Sequence, residues 1–442
     1  MHPRQRAQAR PGAAGTRVLG TRARRPRLMA AVLTAGAIAM AMATPAPAVP
    51  RGLTTVASAD ARASLEAQDT QDTRDTPFTR KLTADLLAHM QRLRVPGAIV
   101  SVSTPAQGTW TTALGTADLA TGTPISARDH MRVGSITKTF TGTVILQLVQ
   151  EGRLSLDKPV AAYRQGVPNG GRITIRQLLQ MTSGLYNYAE DPRFNRQLDQ
   201  HPERYWSPQE LLDIAFRHPV YFPPGTGYHY SNTNYVLLGL IAEQVTGRPL
   251  ARLLRERVFE PAGLEETSFA NGRSIPRPHA QGYMFIDNVD SLTAPVLTGK
   301  DAAWADWSAG NPRNATRDNA SLAWSAGAAV STVDDLRRWA KALATGSLLS
   351  PAVQRERLTF VPTSDLPGAP TYGLAVANIL GYIGHDGEIP GYNSFMGYDP
   401  ATRTTIVVLT NLNQSPDGTA PAIELTKQII DQLTPQDSAA LS

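Results

Sequence analysis

The sequence predicts an α+β fold in which an antiparallel sheet is flanked by helices and interrupted by an inserted all-helical domain. Strand patterns occur near both ends of the chain, whereas the long middle part has the spacing of helices and loops. Strands at both ends with helices between them indicate one sheet assembled from the two ends. We therefore expect sheet segments within about 78–134 and 345–435, and the helical insertion at about 135–344.

The predicted domain begins with a helix and a pair of strands. Apolar residues at helical spacing run from Leu82 to Leu93 and stop at a Pro-Gly pair, which breaks helices. Two segments, 98–103 and 109–115, have the composition of strands, and residues 105–108 form the turn between them.

The remaining elements follow the same patterns. A helix is predicted to start at Ser135, and another is predicted over 235–245. Strand patterns return only near the end of the chain, at 382–388, 394–398 and 405–409. A last amphipathic helix over about 423–433 closes the domain.

The first 48 residues have the pattern of a signal peptide. Eight arginines precede an apolar run over 28–43, and small residues follow up to Ala48. The run is shorter than the ~20 apolar residues that span a membrane, so we expect cleavage, secretion and no stable membrane span. Residues 49–77 are small and polar, which predicts a flexible linker before the domain at 78–442.

Charge and cysteine content exclude several kinds of function. The formal net charge is +6, but the eight arginines of the leader exceed it, so the remaining chain is slightly acidic. We therefore expect no nucleic-acid partner. The chain has no cysteine, which excludes a thiol nucleophile, a disulfide and a thiolate metal site.

Ser135 and Lys138 stand three residues apart at the start of the second predicted helix. Residues at this spacing share one helical face, about 5–6 Å apart, so the amine can take the serine proton. Arginine carries nearly all other positive charge in this chain and cannot act as a base. Burial and the helix dipole lower a lysine pKa from its usual ~10.4. The pair predicts a serine nucleophile with a lysine base; taken alone, a solvated surface lysine is the alternative.

Two further segments carry candidate site residues. Tyr230 and Asn232 lie in a turn-rich run before the helix at 235–245, where a phenol can shuttle a proton and an amide can hold Lys138 and a substrate carbonyl. The alternative is that Tyr230 packs and Asn232 caps the helix. His385 lies on a predicted strand close to Gly387, and can donate hydrogen bonds or tune a nearby tyrosine.

In chain order, Ser-x-x-Lys at 135–138, Tyr-Ser-Asn at 230–232 and His-Asp-Gly at 385–387 resemble the three motifs of the penicillin-recognising serine hydrolases. The match looks closest to class C β-lactamases and secreted D-alanyl-D-alanine carboxypeptidases, and covers about 78–433. The resemblance implies a β-lactamase/transpeptidase-like fold, no metal or other cofactor, and a small peptide, lactam or ester substrate, including a peptidoglycan stem peptide. We expect a monomer.

The resemblance also implies a role for each motif residue. Ser135 attacks a carbonyl, Lys138 and Tyr230 move its proton, and the acyl-enzyme is then hydrolysed. Asn232 positions the reacting groups and His385 completes the network. The backbone N–H groups of Ser135 and of Glu388, which follows Gly387, would bind the oxyanion; such donors are worth about 3–4 kcal/mol each.

The chain departs from the carboxypeptidase pattern around the third motif. That branch has an arginine shortly before the motif that grips the substrate carboxylate, and a threonine just after it. The segment 372–384 contains no Arg or Lys, and Glu388 takes the position after the motif. Asp386 and Glu388 would repel a carboxylate if their side chains face it. A D-alanyl-D-alanine carboxypeptidase is the first hypothesis, and a β-lactamase, an esterase of this fold and a non-catalytic sensor are the alternatives.

Overall fold

The computed structural model describes residues 76–293 and 312–433. The predicted signal peptide and nearly all of the predicted linker lie outside these residues. The first described helix begins at Pro77, and the Thr76 hydroxyl caps it by accepting from the backbone N–H of Thr79 at 3.1 Å. Proline is favoured in the first helical turn because it has no N–H to leave unpaired.

Helices and strands alternate along the described chain. The helices are α1 (Pro77–Leu93), α2 (Thr137–Gln150), α3 (Ile175–Leu179), α4 (Pro192–Gln200), α5 (Pro208–Phe216), α6 (Asn232–Thr246), α7 (Leu250–Leu254), α8 (Asn288–Thr293), α9 (Val333–Thr345), α10 (Pro351–Arg357) and α11 (Pro421–Leu433). The strands are β1 (Gly97–Thr104), β2 (Gly108–Asp118), β3 (Thr123–Pro124), β4 (Met131–Arg132), β5 (Ser268–Phe269), β6 (Tyr283–Met284), β7 (Arg313–Asn314), β8 (Ala329–Ser331), β9 (Val361–Pro362), β10 (Thr371–Tyr372), β11 (Ala377–Ile379), β12 (Tyr382–Ile389), β13 (Tyr392–Asp399) and β14 (Thr404–Thr410).

Within the described ranges, nine strands form the large sheet, in the order β3-β2-β1-β14-β13-β12-β11-β10-β9. Every adjacent pair is antiparallel. The first and last long strands are neighbours within it, as the third and fourth strands of this order, and Ala98 of β1 pairs with Thr410 of β14. The prediction of one sheet built from both ends of the chain is therefore confirmed.

Helices cover both faces of this sheet. Successive residues of β14 point to opposite faces, and the Ile406, Val407, Val408 and Leu409 side chains are all fully buried. Both α9 and α11 contact β13 and β14, and α11 also packs against α1. The sheet is thus buried on both faces. A strand with one face in solvent would instead alternate apolar and polar residues.

The segment predicted as an all-helical insertion is not purely helical. It contains α2 to α8 and most of α9, but also the short strands β5, β6, β7 and β8. Strand β8 joins β4 and β5 in a three-stranded sheet, and β6 pairs with β7. These strands are two or three residues long, which is too short to give a period-two pattern. Among the residues that the structure describes, no helix is long and apolar enough to cross a membrane.

Candidate active site

Ser135 lies in a tight turn directly before α2. Residues Gly134–Ile136 form one turn of 3-10 helix, and Thr137 begins the α-helix. Gly134 has φ +50°, and a Cβ atom there would stand 2.6 Å from the backbone nitrogen of Glu388. Glycine is therefore required at this position both by conformation and by the approach of β12.

A second glycine brings β12 against the same turn. A Cβ atom at Gly387 would clash with the backbone oxygen of Val133 and with the Ser394 hydroxyl. The Ser394 hydroxyl in turn donates to the Val133 oxygen at 3.0 Å. Backbone from the third sequence motif thus lies in direct contact with the turn that carries Ser135.

Lys138 reaches Ser135 as the spacing predicted. Its Nζ atom lies 2.8 Å from Ser135 Oγ and also donates to the Ala326 carbonyl oxygen at 2.8 Å. The side chain is fully buried, and this burial holds the pKa of Lys138 well below its ordinary value, against the opposing charge of Asp386. An amine with a lowered pKa is available as a base near neutral pH. The alternative of a solvated surface lysine is excluded.

Tyr230 lies at the same centre. Lys138 Nζ stands 4.8 Å from the centroid of its ring. The hydroxyl is buried beside Ser135 but meets the geometry of a hydrogen bond with no described residue. Burial, reinforced by Asp386, holds the pKa of Tyr230 well above its ordinary value, so the phenol keeps its proton. A protonated, unpartnered hydroxyl beside a nucleophile can donate to a reacting group.

Asn232 does not make the contact that the sequence suggested. Among the described residues, the partners of the Lys138 amine are Ser135 and Ala326, and no hydrogen bond joins Lys138 to Asn232. Nor does the Asn232 side chain cap α6, whose N-cap is Ser231. Its backbone N–H donates to Asn187 Oδ1 at 3.1 Å. The Ala326 carbonyl thus makes the contact with Lys138 that was expected of the Asn232 amide, and the contact of Asn232 with a substrate carbonyl stays a prediction.

His385 is buried on β12 and its partner is a residue that the sequence did not single out. The Tyr372 hydroxyl of β10 lies 2.9 Å from His385 Nε2, and His385 Nδ1 lies 2.6 Å from the Asp386 carbonyl oxygen. A carbonyl only accepts, so Nδ1 carries the hydrogen and Nε2 accepts from Tyr372. The Tyr372 ring stands 6.2 Å from the Tyr230 ring, edge to face. His385 therefore hydrogen-bonds Tyr372, and its own ring stands 6.3 Å from the Tyr230 ring.

Two carboxyl groups of β12 stand close to this network. Burial alone would raise the pKa of Asp386, but the hydrogen bond from His385 lowers it below its ordinary value. Its Oδ1 lies 3.3 Å from His385 Nδ1. Glu388 is exposed to solvent, yet protein surrounds it closely enough to raise its pKa to about 7, with Asp386 adding to this shift and Asn413 opposing it. Asp386 is thus charged at neutral pH and Glu388 titrates near it.

The geometry brings together four of the five side chains predicted to act in catalysis. Ser135, Lys138, Tyr230 and His385 lie within one network, with Gly387 and Glu388 against the serine turn, whereas Asn232 stays outside it. Tyr372 is the member that sequence reasoning missed. In the ranges 76–293 and 312–433, no group of three or more His, Asp or Glu side chains is arranged to hold a metal ion.

A family model described as Beta-lactamase matches residues 82–429 of the chain. Among named proteins, the chain is 27% identical to penicillin-binding protein 4* of Bacillus subtilis over 334 residues, which cover 72% of this chain and 68% of that protein. The predicted domain thus matches a known family over most of its length.

Solved structures give a second set of relatives. A D-stereospecific amidohydrolase from Streptomyces sp. superimposes with a TM-score of 0.67 at 30% identity, covering 82% of this chain and 99% of that one. The D-amino acid amidase of Ochrobactrum anthropi, in complex with L-phenylalanine amide, gives 0.68 at 27% identity, covering 81% and 98%.

The expectation of a monomer finds no support among these structures. An octameric penicillin-binding protein homologue from Pyrococcus abyssi superimposes with a TM-score of 0.62 at 24% identity, covering 80% of this chain and 77% of that one. At this identity the likeness concerns the fold, and the fold is therefore compatible with assembly.

Proposed function

The chain belongs to the beta-lactamase family, and from that premise we propose that it is a serine hydrolase that cleaves amide bonds through an acyl-enzyme on Ser135. The 2.8 Å approach of Lys138 Nζ to Ser135 Oγ carries this proposal. Because burial favours the neutral amine, Lys138 can accept the hydroxyl proton as the oxygen attacks.

The first half of the reaction forms one bond and breaks one. Ser135 Oγ bonds to the substrate carbonyl carbon while its proton passes to Lys138. The carbonyl oxygen becomes an oxyanion, which the backbone N–H groups of Ser135 and Glu388 stabilise. When the C–N bond breaks, the leaving nitrogen takes the Tyr230 proton, and Lys138 returns a proton to Tyr230. The acyl group remains on Ser135.

The second half repeats these transfers with water. A water molecule loses a proton to the same base, its oxygen attacks the ester carbon, and the bond to Ser135 Oγ breaks as the serine regains a proton. The high pKa of Tyr230 suits it to donate rather than to remain ionised. The hydrogen bond between His385 and Tyr372 fixes two side chains that lie next to Tyr230.

The acyl residue is best supported as a D-amino acid. Two relatives by structure, at 27% and 30% identity over nearly their whole length, are named as a D-amino acid amidase and a D-stereospecific amidohydrolase. We therefore propose D-amino acyl amides as substrates. A D-alanyl-D-alanine carboxypeptidase is the second candidate, favoured by the similarity to a penicillin-binding protein. The absence of Arg and Lys from 372–384 weighs against it, because its substrate ends in a carboxylate.

Four substrates assayed with the full-length protein test this proposal: D-alanine amide, a D-Ala-D-Ala peptide, nitrocefin and a p-nitrophenyl ester. We expect ammonia release from D-alanine amide to be the fastest reaction and to disappear in Ser135→Ala. Faster release of D-alanine from the peptide would favour the carboxypeptidase. Turnover of nitrocefin alone would favour a β-lactamase, and turnover of the p-nitrophenyl ester alone would favour an esterase. Stoichiometric penicillin labelling without any turnover would indicate a sensor.

We also propose secretion, with cleavage after Ala48, from the leader pattern. Expression of the full chain in a secreting bacterial host should deliver protein to the medium with Val49 at its N-terminus. Full-length protein confined to the cell would contradict this part of the proposal without touching the reaction at Ser135.

A further inference from the structure

One stretch of β12, beside the nucleophile, has no neighbour on one edge among the strands that the structure describes. Strand β11 pairs with β12 only up to Gly384, whereas β13 pairs with it as far as Ile389. Asp386 and Glu388 alternate with His385 and Gly387 along this stretch and so lie on one side of the strand. The Asp386 side chain is 31% exposed, and Glu388 is exposed. Two carboxyl groups therefore line the edge along which a substrate reaches Ser135.

Both carboxyl groups are close to the reactive centre. The charge of Asp386 acts on Lys138, on Tyr230 and on Glu388. The backbone of Glu388 touches the turn at Gly134, one residue before the nucleophile. Any substrate whose carbonyl oxygen lies against the Glu388 N–H must bring its neighbouring atoms within reach of these carboxylates.

A buried acceptor without a partner stands beside the same pair. Asn413 is 6% exposed and its carboxamide interacts with the Glu388 side chain. Its Oδ1 atom is buried and has no hydrogen-bond partner among the described residues. Leaving a buried acceptor unpaired is unfavourable, so a donor from a ligand would be favoured here. Two carboxylates and an amide oxygen together select a group that is rich in donors and positively charged.

We propose that Asp386 and Glu388, assisted by Asn413, bind the protonated α-amine of the substrate's acyl residue, so that the enzyme acts on amides with a free amino terminus. The inference rests on the proposed function and names its substrate class. In an amino acid, the α-nitrogen is three bonds from the carbonyl oxygen, which places it within about 4 Å of that oxygen. A carbonyl held at the Glu388 N–H therefore puts the amine beside the Glu388 side chain.

The charge arrangement also explains what the site rejects. A carboxylate on the leaving group would approach two like charges, whereas an ammonium group would relieve their mutual repulsion. The acidic pair thus favours substrates that are cationic on the acyl side and uncharged on the leaving side, which is the charge pattern of an amino acid amide.

Two chromogenic substrates that differ only at the amine test the inference: D-alanine p-nitroanilide and N-acetyl-D-alanine p-nitroanilide. For the wild-type protein we expect kcat/KM for the free amine to exceed that for the acetylated substrate by about 100-fold, mostly through KM. Glu388→Gln and Asp386→Asn should each lower this ratio about tenfold, and the double variant should bring it close to one. Glu265→Gln, an exposed glutamate before β5, is the matched control and should keep the wild-type ratio.

A charge reversal gives a second readout that loss of folding cannot imitate. Glu388→Arg should shift the preference toward N-succinyl-D-alanine p-nitroanilide, whose acyl side carries a carboxylate. An equal rate on the free and acetylated substrates in the wild type, or a ratio unchanged in Glu388→Gln and Asp386→Asn, would overturn the inference. If neither anilide were hydrolysed above the Ser135→Ala background, the proposed function itself would fail instead.

Discussion

The hydroxyl of Tyr372 donates to Nε2 of His385 across 2.9 Å, in a contact buried from solvent. Tyr372 comes from the two-residue strand β10 and His385 from β12, and the intervening β11 brings them together. This bond fixes the tautomer of His385, because its other ring nitrogen already donates to the Asp386 carbonyl. The positions of Tyr372 and His385 are thus fixed by a hydrogen bond between neutral side chains rather than by an ion pair.

Replacing Tyr372 by Phe removes this donor and leaves His385 Nε2 buried without a partner. We expect a loss of about 1–3 kcal/mol in the free energy of unfolding, and a fall in kcat rather than a rise in KM. Urea unfolding and steady-state kinetics on D-alanine amide measure both. Tyr228→Phe is the control, since its ring also faces Tyr372, at 6.1 Å, but it is not a partner of His385. Equal losses in the two variants would contradict the assigned role.

Lys138→Met keeps the length of the side chain but removes the base. We expect kcat to fall about 10²- to 10⁴-fold, since the Ser135 proton loses its acceptor. Lys341→Met, an exposed lysine of α9, should leave kcat unchanged and serves as the control. A Lys138→Met protein that hydrolyses D-alanine amide at the wild-type rate would show that another group takes the serine proton.

The preference for a free amine should depend on pH. Because the pKa of Glu388 is raised to about 7, its carboxyl group is neutral below that pH and charged above it. The ratio of kcat/KM for D-alanine p-nitroanilide over its N-acetyl analogue should therefore rise from pH 6 to pH 7.5. It should fall again when the substrate amine loses its proton, at about pH 8. Titration of Lys138 affects both substrates and cancels in the ratio. In Glu388→Gln the rising limb should disappear.

A methyl group at Gly387 should separate β12 from the serine turn. Gly387→Ala would place its Cβ against the Val133 backbone oxygen, which cannot move without shifting Ser135. We expect the free energy of unfolding to fall by at least about 2 kcal/mol. The fraction of the variant that still folds should have lost its hydrolytic activity. Gly171→Ala adds the same methyl group where no atom lies within 4 Å, and should retain both. Full activity in Gly387→Ala would mean that this close approach is not needed for catalysis.

The sequence was sufficient for the parts of the site that have a spacing or a motif. The closeness of Ser135 and Lys138 follows from their spacing of three residues, although Ser135 lies in a 3-10 turn and the α-helix begins only at Thr137. The long strands β1, β2, β12, β13 and β14 were predicted within a few residues of their observed ends. These elements are long enough for their apolar residues to show the repeat of a helix or of a strand.

Residues that act through tertiary contacts had no such signal. Tyr372 lies on a strand of two residues, and only folding brings it to His385. Asn232 sits in a recognisable motif, yet the Lys138 amine is bound by the carbonyl of Ala326, a backbone atom that every residue possesses. A sequence cannot show which of its many carbonyl groups will face a buried amine.

The pairing of β1 with β14 inside the large sheet has a consequence for how the protein folds during synthesis. The strands that meet there are about 300 residues apart, so closing the sheet must wait until almost the whole chain has been synthesised. During translation, β1 and β2 lack the neighbour that β14 provides. Until β14 is in place, the edge of β1 that it will cover stays open to pairing with another chain.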